Sequence, residues 1–249
     1  ASRNARLTNT PGVAESAPVG SPDGRWIAYI RREAGKSPEL WRMGRNGQNQ
    51  QPLVRGFGEL ASPAWSPDGS RLLFASDFDG DWELYSLRLG DAFLARLTDN
   101  SAADFSPDWS WFTDRIVFVS NRVGPNPEVY SMLSDGSDVR RLSVNPNGDA
   151  APRWAPDGLK IVFASTRESV QSLFVMRWNG SDLRQLVDSS LRPDSPAWSP
   201  DGAYIAFSGY RPGSGHSELF RVNPDGTGLL LLTKNELEFD FGPGWLPGK

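Results

Sequence analysis

The hexapeptide Ala-Trp-Ser-Pro-Asp-Gly occurs at 64–69 and again, unchanged, at 197–202. The copies lie 133 positions apart, close to three times 44. That spacing predicts relatives near 22, 111 and 156. Ser-Pro-Asp-Gly ends at Gly24 and Ala-Pro-Asp-Gly at Gly158. The copy near 111 is altered: in intact copies an apolar run starts three residues after the glycine, at Leu72, Ile161 and Ile205. Counting back from Ile116 puts Thr113 in the glycine position, so Trp111, Phe112 and Thr113 stand for Pro-Asp-Gly. Gly-Pro-Gly-Trp-Leu-Pro-Gly at 242–248 begins one more copy. A repeat of 44 to 45 residues limits the chain to architectures built by stacking one unit.

Each unit reads as four strands. In the second, Pro-Ala-Trp is a short extended piece before the joint, and Arg-Leu-Leu-Phe-Ala-Ser is a buried strand. Glu-Leu-Tyr-Ser-Leu alternates as a half-buried strand does, and Ala-Arg-Leu-Thr is a shorter, more polar fourth. Asn-Gly or Asp-Gly pairs at 46, 135, 179 and 225 close the last hairpin of four units. In the joint, proline sets φ, aspartate accepts from backbone amides ahead of it, and glycine takes a conformation other residues resist. A tryptophan two residues after the first proline, at 65, 109, 154, 198 and 245, is expected to fill the wedge between neighbouring sheets. Burying such a ring is worth roughly 2–3 kcal/mol. The first unit has Gly20 there.

The expected fold is all-β: one β-propeller domain over 1–249, with four-stranded antiparallel blades and about five full repeats. The units run approximately over 9–54, 55–98, 99–143, 144–187 and 188–233, with a partial closing unit from 234–249 and 1–8. The chain opens on a fourth strand and closes on a first, which predicts a six-blade plan with an incomplete closing blade. The alternative is a five-bladed ring.

Composition narrows the function. A net charge of −4 argues against nucleic acid, whose phosphates demand clustered cations. No apolar run approaches a membrane span, so no direct membrane insertion is expected. The absence of cysteine excludes thiol nucleophiles and zinc–cysteine sites, and it suits an oxidising compartment. The one histidine, His216, leaves no material for a histidine-based triad or a multi-histidine metal site. No carboxylate pair stands out for glycoside hydrolysis, and no cofactor is implied. Asp77, Asp79 and Asp81 are spaced like the start of a calcium loop, but glycine falls at the fourth position and no glutamate at the twelfth. A plain hairpin turn is the stronger reading.

An acid recurs three residues before the first proline: Glu15, Asp104, Asp149 and Asp240, with Asp194 shifted by one. An arginine follows the second strand at Arg31, Arg122, Arg167 and Arg211. In a propeller both positions lie on one face, so acids and arginines are expected to meet at a channel mouth. Phe78, Trp82, Phe105, Tyr210 and Phe241 lie near that face and are interface types. The ring is either an inter-blade salt-bridge device or a partner-binding funnel. Charge reversal at Asp104 and Asp149 is expected to weaken binding without lowering the melting temperature much.

The pattern Pro-x-Trp-Ser-Pro-Asp-Gly, then the apolar strand ending in serine, the Glu-x-Tyr strand and the closing Arg-Leu-Thr, resembles the PD40 (WD40-like, TolB-type) propeller repeat over nearly the whole chain. The resemblance implies a non-catalytic, protein-binding scaffold of the cell envelope, periplasmic or otherwise extracytoplasmic, with an envelope protein as partner. Related repeats also serve as regulatory or gating propellers of multidomain serine peptidases, so a detached peptidase propeller is one alternative. A carbohydrate-binding propeller is the other. The α/β domain that precedes the TolB propeller and the Gly-x-Ser-x-Gly elbow of the peptidases are not seen in the sequence.

Overall fold

The computed structural model describes residues 7–167, 169–211, 213, 215–234 and 242–245. Five four-stranded antiparallel sheets follow one another, each in simple up-and-down order. Blade one holds β1 (Val13–Gly20), β2 (Trp26–Glu33), β3 (Glu39–Gly44) and β4 (Gln51–Val54). Blade two holds β5 (Leu60–Trp65), β6 (Arg71–Ser76), β7 (Glu83–Arg88) and β8 (Leu94–Arg96). Blade three runs from β9 (Asp104–Trp109) through β10 (Arg115–Ser120) and β11 (Glu128–Leu133) to β12 (Arg140–Arg141). Blade four is β13 (Asp149–Trp154), β14 (Lys160–Arg167), β15 (Val170–Arg177) and β16 (Arg184–Val187). Blade five is β17 (Asp194–Trp198), β18 (Ile205–Tyr210), β19 (Ser217–Val222) and β20 (Leu230–Leu231).

The core lies between blades. Ala28, Ile30 and Leu40 of blade one pack on Trp65, Leu72, Phe74 and Tyr85 of blade two. Leu73, Ala75 and Leu84 from the other face of blade two meet Trp109, Ile116 and Phe118. The pattern continues with Val117 and Val129 against Trp154 and Phe163, and with Val162 and Leu173 against Phe207 and Phe220, Trp198 packing beside them. Second strands are buried on both faces, which is why they read as unbroken apolar runs. The tryptophans take the expected wedge positions at all four blade junctions.

The joint also folds as expected. Asp68 Oδ1 accepts from Ser66 Oγ (2.6 Å) and from the Ser70 N–H (3.0 Å), and Gly69 takes φ +69°. Blades one and five repeat this with Asp23 and Asp201. The hairpin glycines Gly47, Gly136, Gly180 and Gly226 take φ of +81° to +90°. A side chain on the first three would collide with a carbonyl of Leu7, Leu97 or Leu142, the last two directly after the fourth strand of the preceding blade.

Blade count corrects the sequence expectation. The described residues form five blades and no sixth sheet, which is the five-bladed alternative rather than a six-blade plan. The segments that suggested a sixth unit still make inter-unit contacts. Leu7 lies against the Gly47 hairpin as Leu97 lies against that of Gly136, and Trp245 Nε1 donates to the Ala197 carbonyl (3.1 Å) as Trp65 Nε1 donates to Val19 (3.1 Å). Packing runs from blade one to blade five in sequence, with no comparable packing between the described strands of blades five and one.

The first strands share an irregularity that the repeat pattern does not announce. Each carries a β-bulge just before its first proline, with Ala17, Ser62, Ser106, Ala151 or Ser195 in the left-handed region at φ of +49° to +52°. The bulge bends the innermost strand along the channel wall.

Candidate functional site

In every blade but the second, an acid near the start of the first strand faces the end of the second strand. Glu15 is in register with Arg31, while Asp104, Asp149 and Asp194 face Ser120, Ser165 and Ser208. Their environments differ. Asp104 is fully buried, holds Arg122 Nη2 with both oxygens (2.9 and 3.0 Å) and accepts from Asn100 Nδ2 (2.8 Å). Its own N–H donates to the Trp82 carbonyl of the preceding blade (2.7 Å). Asp149 is buried too, with Oδ1 accepting from Ser165 Oγ (2.6 Å) and Asn145 Nδ2 (2.9 Å). Arg167 donates to Ser165 Oγ (3.1 Å) and lies over the Phe174 ring.

These contacts extend into networks across two blade junctions. Glu83, buried, accepts from Arg96 Nη2 (3.1 Å) and from the Asn100 N–H (2.7 Å), and Asn100 passes the chain on to Asp104. Burial, with Asp104 nearby, holds the Glu83 carboxyl above its ordinary pKa, although its hydrogen bonds oppose this. Glu128 likewise pairs with Arg141 and accepts from the Asn145 N–H (3.2 Å), and Asn145 reaches Asp149. The sequence reading missed Glu83, Glu128, Asn100 and Asn145. Their signal was the shared frame of Arg-Leu-Thr-Asp-Asn and Arg-Leu-Ser-Val-Asn, each closing on the glutamate of the third strand. With Asp104 and Asp149 inside such networks, reversing their charge would strip buried partners. It is therefore a change to the fold, contrary to the expectation of an unaltered melting temperature.

The remaining positions are more open. Asp194 is exposed, with its Oδ1 on the Ser195 N–H (2.6 Å), and Arg211 is exposed and pairs with Glu218 (3.4 Å). Glu15 is half-buried and accepts from Thr8 and Thr10, while the Arg31 guanidinium lies 4.5 Å above the Trp41 ring. Phe78, 51% exposed, stacks on Phe57 at 4.1 Å, and Tyr210 is exposed. Trp82 and Phe105 are half-buried and pack between blades two and three. Asp240 and Phe241 lie outside the described residues. Asp77 accepts the Glu59 N–H (2.6 Å), and Asp79 accepts the Tyr85 hydroxyl (2.6 Å) and pairs with Arg96 (3.2 Å). Among the described residues no group of three or more His, Cys, Asp or Glu side chains is placed to hold a metal ion.

The first strands enclose a central cavity of about 720 Å³. Its walls are Trp65, Trp154, Trp198 and Trp245 with the bulged proline segments. Asp108 and Arg153 also line it, on blades three and four. Asp108 Oδ2 accepts the Trp154 N–H (2.7 Å), and burial pushes its carboxyl above the ordinary value against the pull of Arg153.

Comparison with known proteins agrees with this architecture. The family model PD40, the TolB beta propeller domain, matches residues 16–247. The chain is 39% identical over 114 residues to the Tol-Pal system protein TolB of Anaeromyxobacter dehalogenans, covering 45% of this chain and 25% of that protein. It is 34% identical over 117 residues to the TolB homolog of Chlorobium chlorochromatii, covering 47% and 26%. The matches thus span about a quarter of these relatives. The crystal structure of TolB from Acinetobacter baumannii superposes with a TM-score of 0.82 at 23% identity, over 94% of this chain and 58% of that one. From its repeated joint, its stacked four-stranded blades and this match along almost its whole length, the chain belongs to the PD40 family of TolB β-propeller domains.

Proposed function

We propose that this propeller is a non-catalytic protein-binding scaffold of the cell envelope, working outside the cytoplasm, which docks a partner protein on the face carrying the starts of the first strands. The observation that carries this reading is an uneven distribution on that face. At blades three and four the charges are locked into buried networks, whereas Asp194, Arg211, Tyr210 and the Phe57–Phe78 stack remain exposed around them. A rigid rim with exposed aromatics and charges of both signs suits a partner with complementary anchors. Glu15 and Arg31 extend the same rim onto blade one. The relative from Anaeromyxobacter dehalogenans bears the name of a Tol-Pal system protein, which supports an envelope role for a related propeller here.

The test is affinity capture from an envelope extract, comparing the wild-type chain with a Phe78→Ser, Asp194→Arg double variant. Loss of a captured protein by a variant that melts within about 2 °C of wild type supports docking at this rim. Equal capture by both would overturn it.

A further inference from the structure

At the end of its second strand blade one departs from the others. Where Ser76, Ser120, Ser165 and Ser208 stand in blades two to five, blade one has Arg31, in register with Glu15 on β1 and with Glu39 on β3. Neither carboxylate takes it. Glu15 accepts from Thr8 and Thr10, and Glu39 accepts from Trp41 Nε1 (2.6 Å) and pairs with Arg55 Nε (3.1 Å). The half-buried Arg31 lies over the Trp41 ring instead, makes no ion pair among the described residues, and has a buried Nε with no hydrogen-bond partner. Its two Nη groups are not among the buried atoms and reach solvent. A ring face attracts a guanidinium but leaves its fork of donors unused.

Arg31 lines a cavity of about 340 Å³ on blade one, a volume within the range of small-molecule sites. Lys36 and Ser37 of the β2–β3 loop line it too, with Arg55 from just beyond β4. The Lys36 and Arg55 side chains are 64% and 60% exposed, so their donors are open to a ligand. Both carboxylates on the lining are already matched, Glu33 by Lys36 (2.9 Å) and Glu39 by Arg55. Three cations against two carboxylates leave one positive charge over, in a chain whose net charge is −4. The donors come from three separate segments. A planar carboxylate would fill the Arg31 fork alone, whereas a tetrahedral oxyanion presents oxygens to the fork, the ammonium and the hydroxyl together. We infer that this cavity binds a small oxyanion of the phosphate class, free or as a phosphate monoester. Arg31 grips it with both Nη groups, and Lys36 and Ser37 meet it from the loop. An exposed pair such as Lys36–Glu33 is weak, so the ammonium turns to the ligand at little cost. The cavity adjoins the rim through Arg31 but fills without a partner, so its failure would leave docking at Phe78 and Asp194 untouched.

Isothermal titration of the purified chain with inorganic phosphate and with glycerol 3-phosphate tests it, at an ionic strength held near about 0.15 M with sodium chloride. Saturable one-to-one binding is expected for at least one probe, with a dissociation constant of about 1 mM or tighter. Tighter binding of inorganic phosphate assigns the free ion, and tighter binding of the ester assigns the monoester. Succinate, a dianion without the tetrahedral group, should bind at least about tenfold more weakly. Arg31→Gln should weaken the preferred probe by about tenfold or more, and Lys36→Gln, on an exposed loop, by about threefold. Arg32→Gln removes the same charge one position away, where the guanidinium is already committed to Glu59 and the Leu60 carbonyl, and should leave the affinity unchanged. No saturable heat with either phosphate up to about 10 mM, equal binding of succinate, or equal losses in the Arg31 and Arg32 variants would overturn the assignment.

Discussion

Asp104 shows how much one carboxylate can organise. Its two oxygens share Arg122 Nη2, one also accepts from an asparagine of its own unit, and its backbone N–H ties it to the preceding blade. Asp104→Ala leaves Arg122 and Asn100 without their acceptor, and breaking such a buried pair is expected to cost about 3 kcal/mol, read by urea denaturation. Asp104→Arg should be worse, because a second cation then faces Arg122. The bulge residues carry strain of the opposite kind. Ala151 holds φ +49° with a Cβ that disfavours it, so Ala151→Gly is expected to stabilise by about 0.5–1 kcal/mol despite the entropy of glycine. A fall in stability would mean that the methyl packs usefully against the wall.

Within the joint, glycine serves two purposes that substitution can separate. Gly202 has φ +70° and open space, the nearest atom to an added Cβ being 3.9 Å away on Pro156. Gly202→Ala therefore meets only the backbone cost, about 1–2 kcal/mol. At Gly158, with φ +68°, an added Cβ would come within 2.8 Å of Phe112 Cβ, so Gly158→Ala should cost more. Equal losses in paired denaturation curves would remove the steric part of this explanation. The altered joint of blade three follows the same logic, since Thr113 is not among the residues at positive φ, and the turn has taken another form. That change leaves Phe112 78% exposed.

For the whole molecule, acid and base act through opposite groups. The turn aspartates Asp23, Asp68 and Asp201 are held below the ordinary value by hydrogen bonds, first from the joint serines Ser21, Ser66 and Ser199. Their folded forms release protons more readily than the unfolded chain. The stability they add is present above about pH 4 and is lost as pH falls through that range. Asp108 and Glu83 are raised by burial, so their contribution is greatest in acid and declines as pH rises through their folded values. Asp108→Asn should therefore raise the melting temperature more at pH 8 than at pH 4.5, a comparison two thermal scans can make. An equal change at both pH values would show that Asp108 titrates as an ordinary exposed acid.

The sequence by itself determined the unit: its period, its four strands, its turn chemistry and the tryptophan wedge all rest on short-range pattern, because strands and turns are specified by neighbouring residues. It also placed the acids at the starts of first strands. Whether those acids face water or a neighbouring blade was decided by packing between sheets. Asp104 and Asp149 are buried because Asn100 and Asn145 lead from the glutamate of one blade to the aspartate of the next. The same holds for blade count, since the apparent start of a sixth unit near Trp245 makes an inter-unit contact without forming a sheet. Asp108 sits inside a Ser-Pro-Asp that mimics the joint, and only the stacked blades show its carboxylate accepting the Trp154 N–H of the next blade. Contacts of this kind join residues about 45 positions apart, and no local pattern encodes which of two equivalent positions will keep its partner.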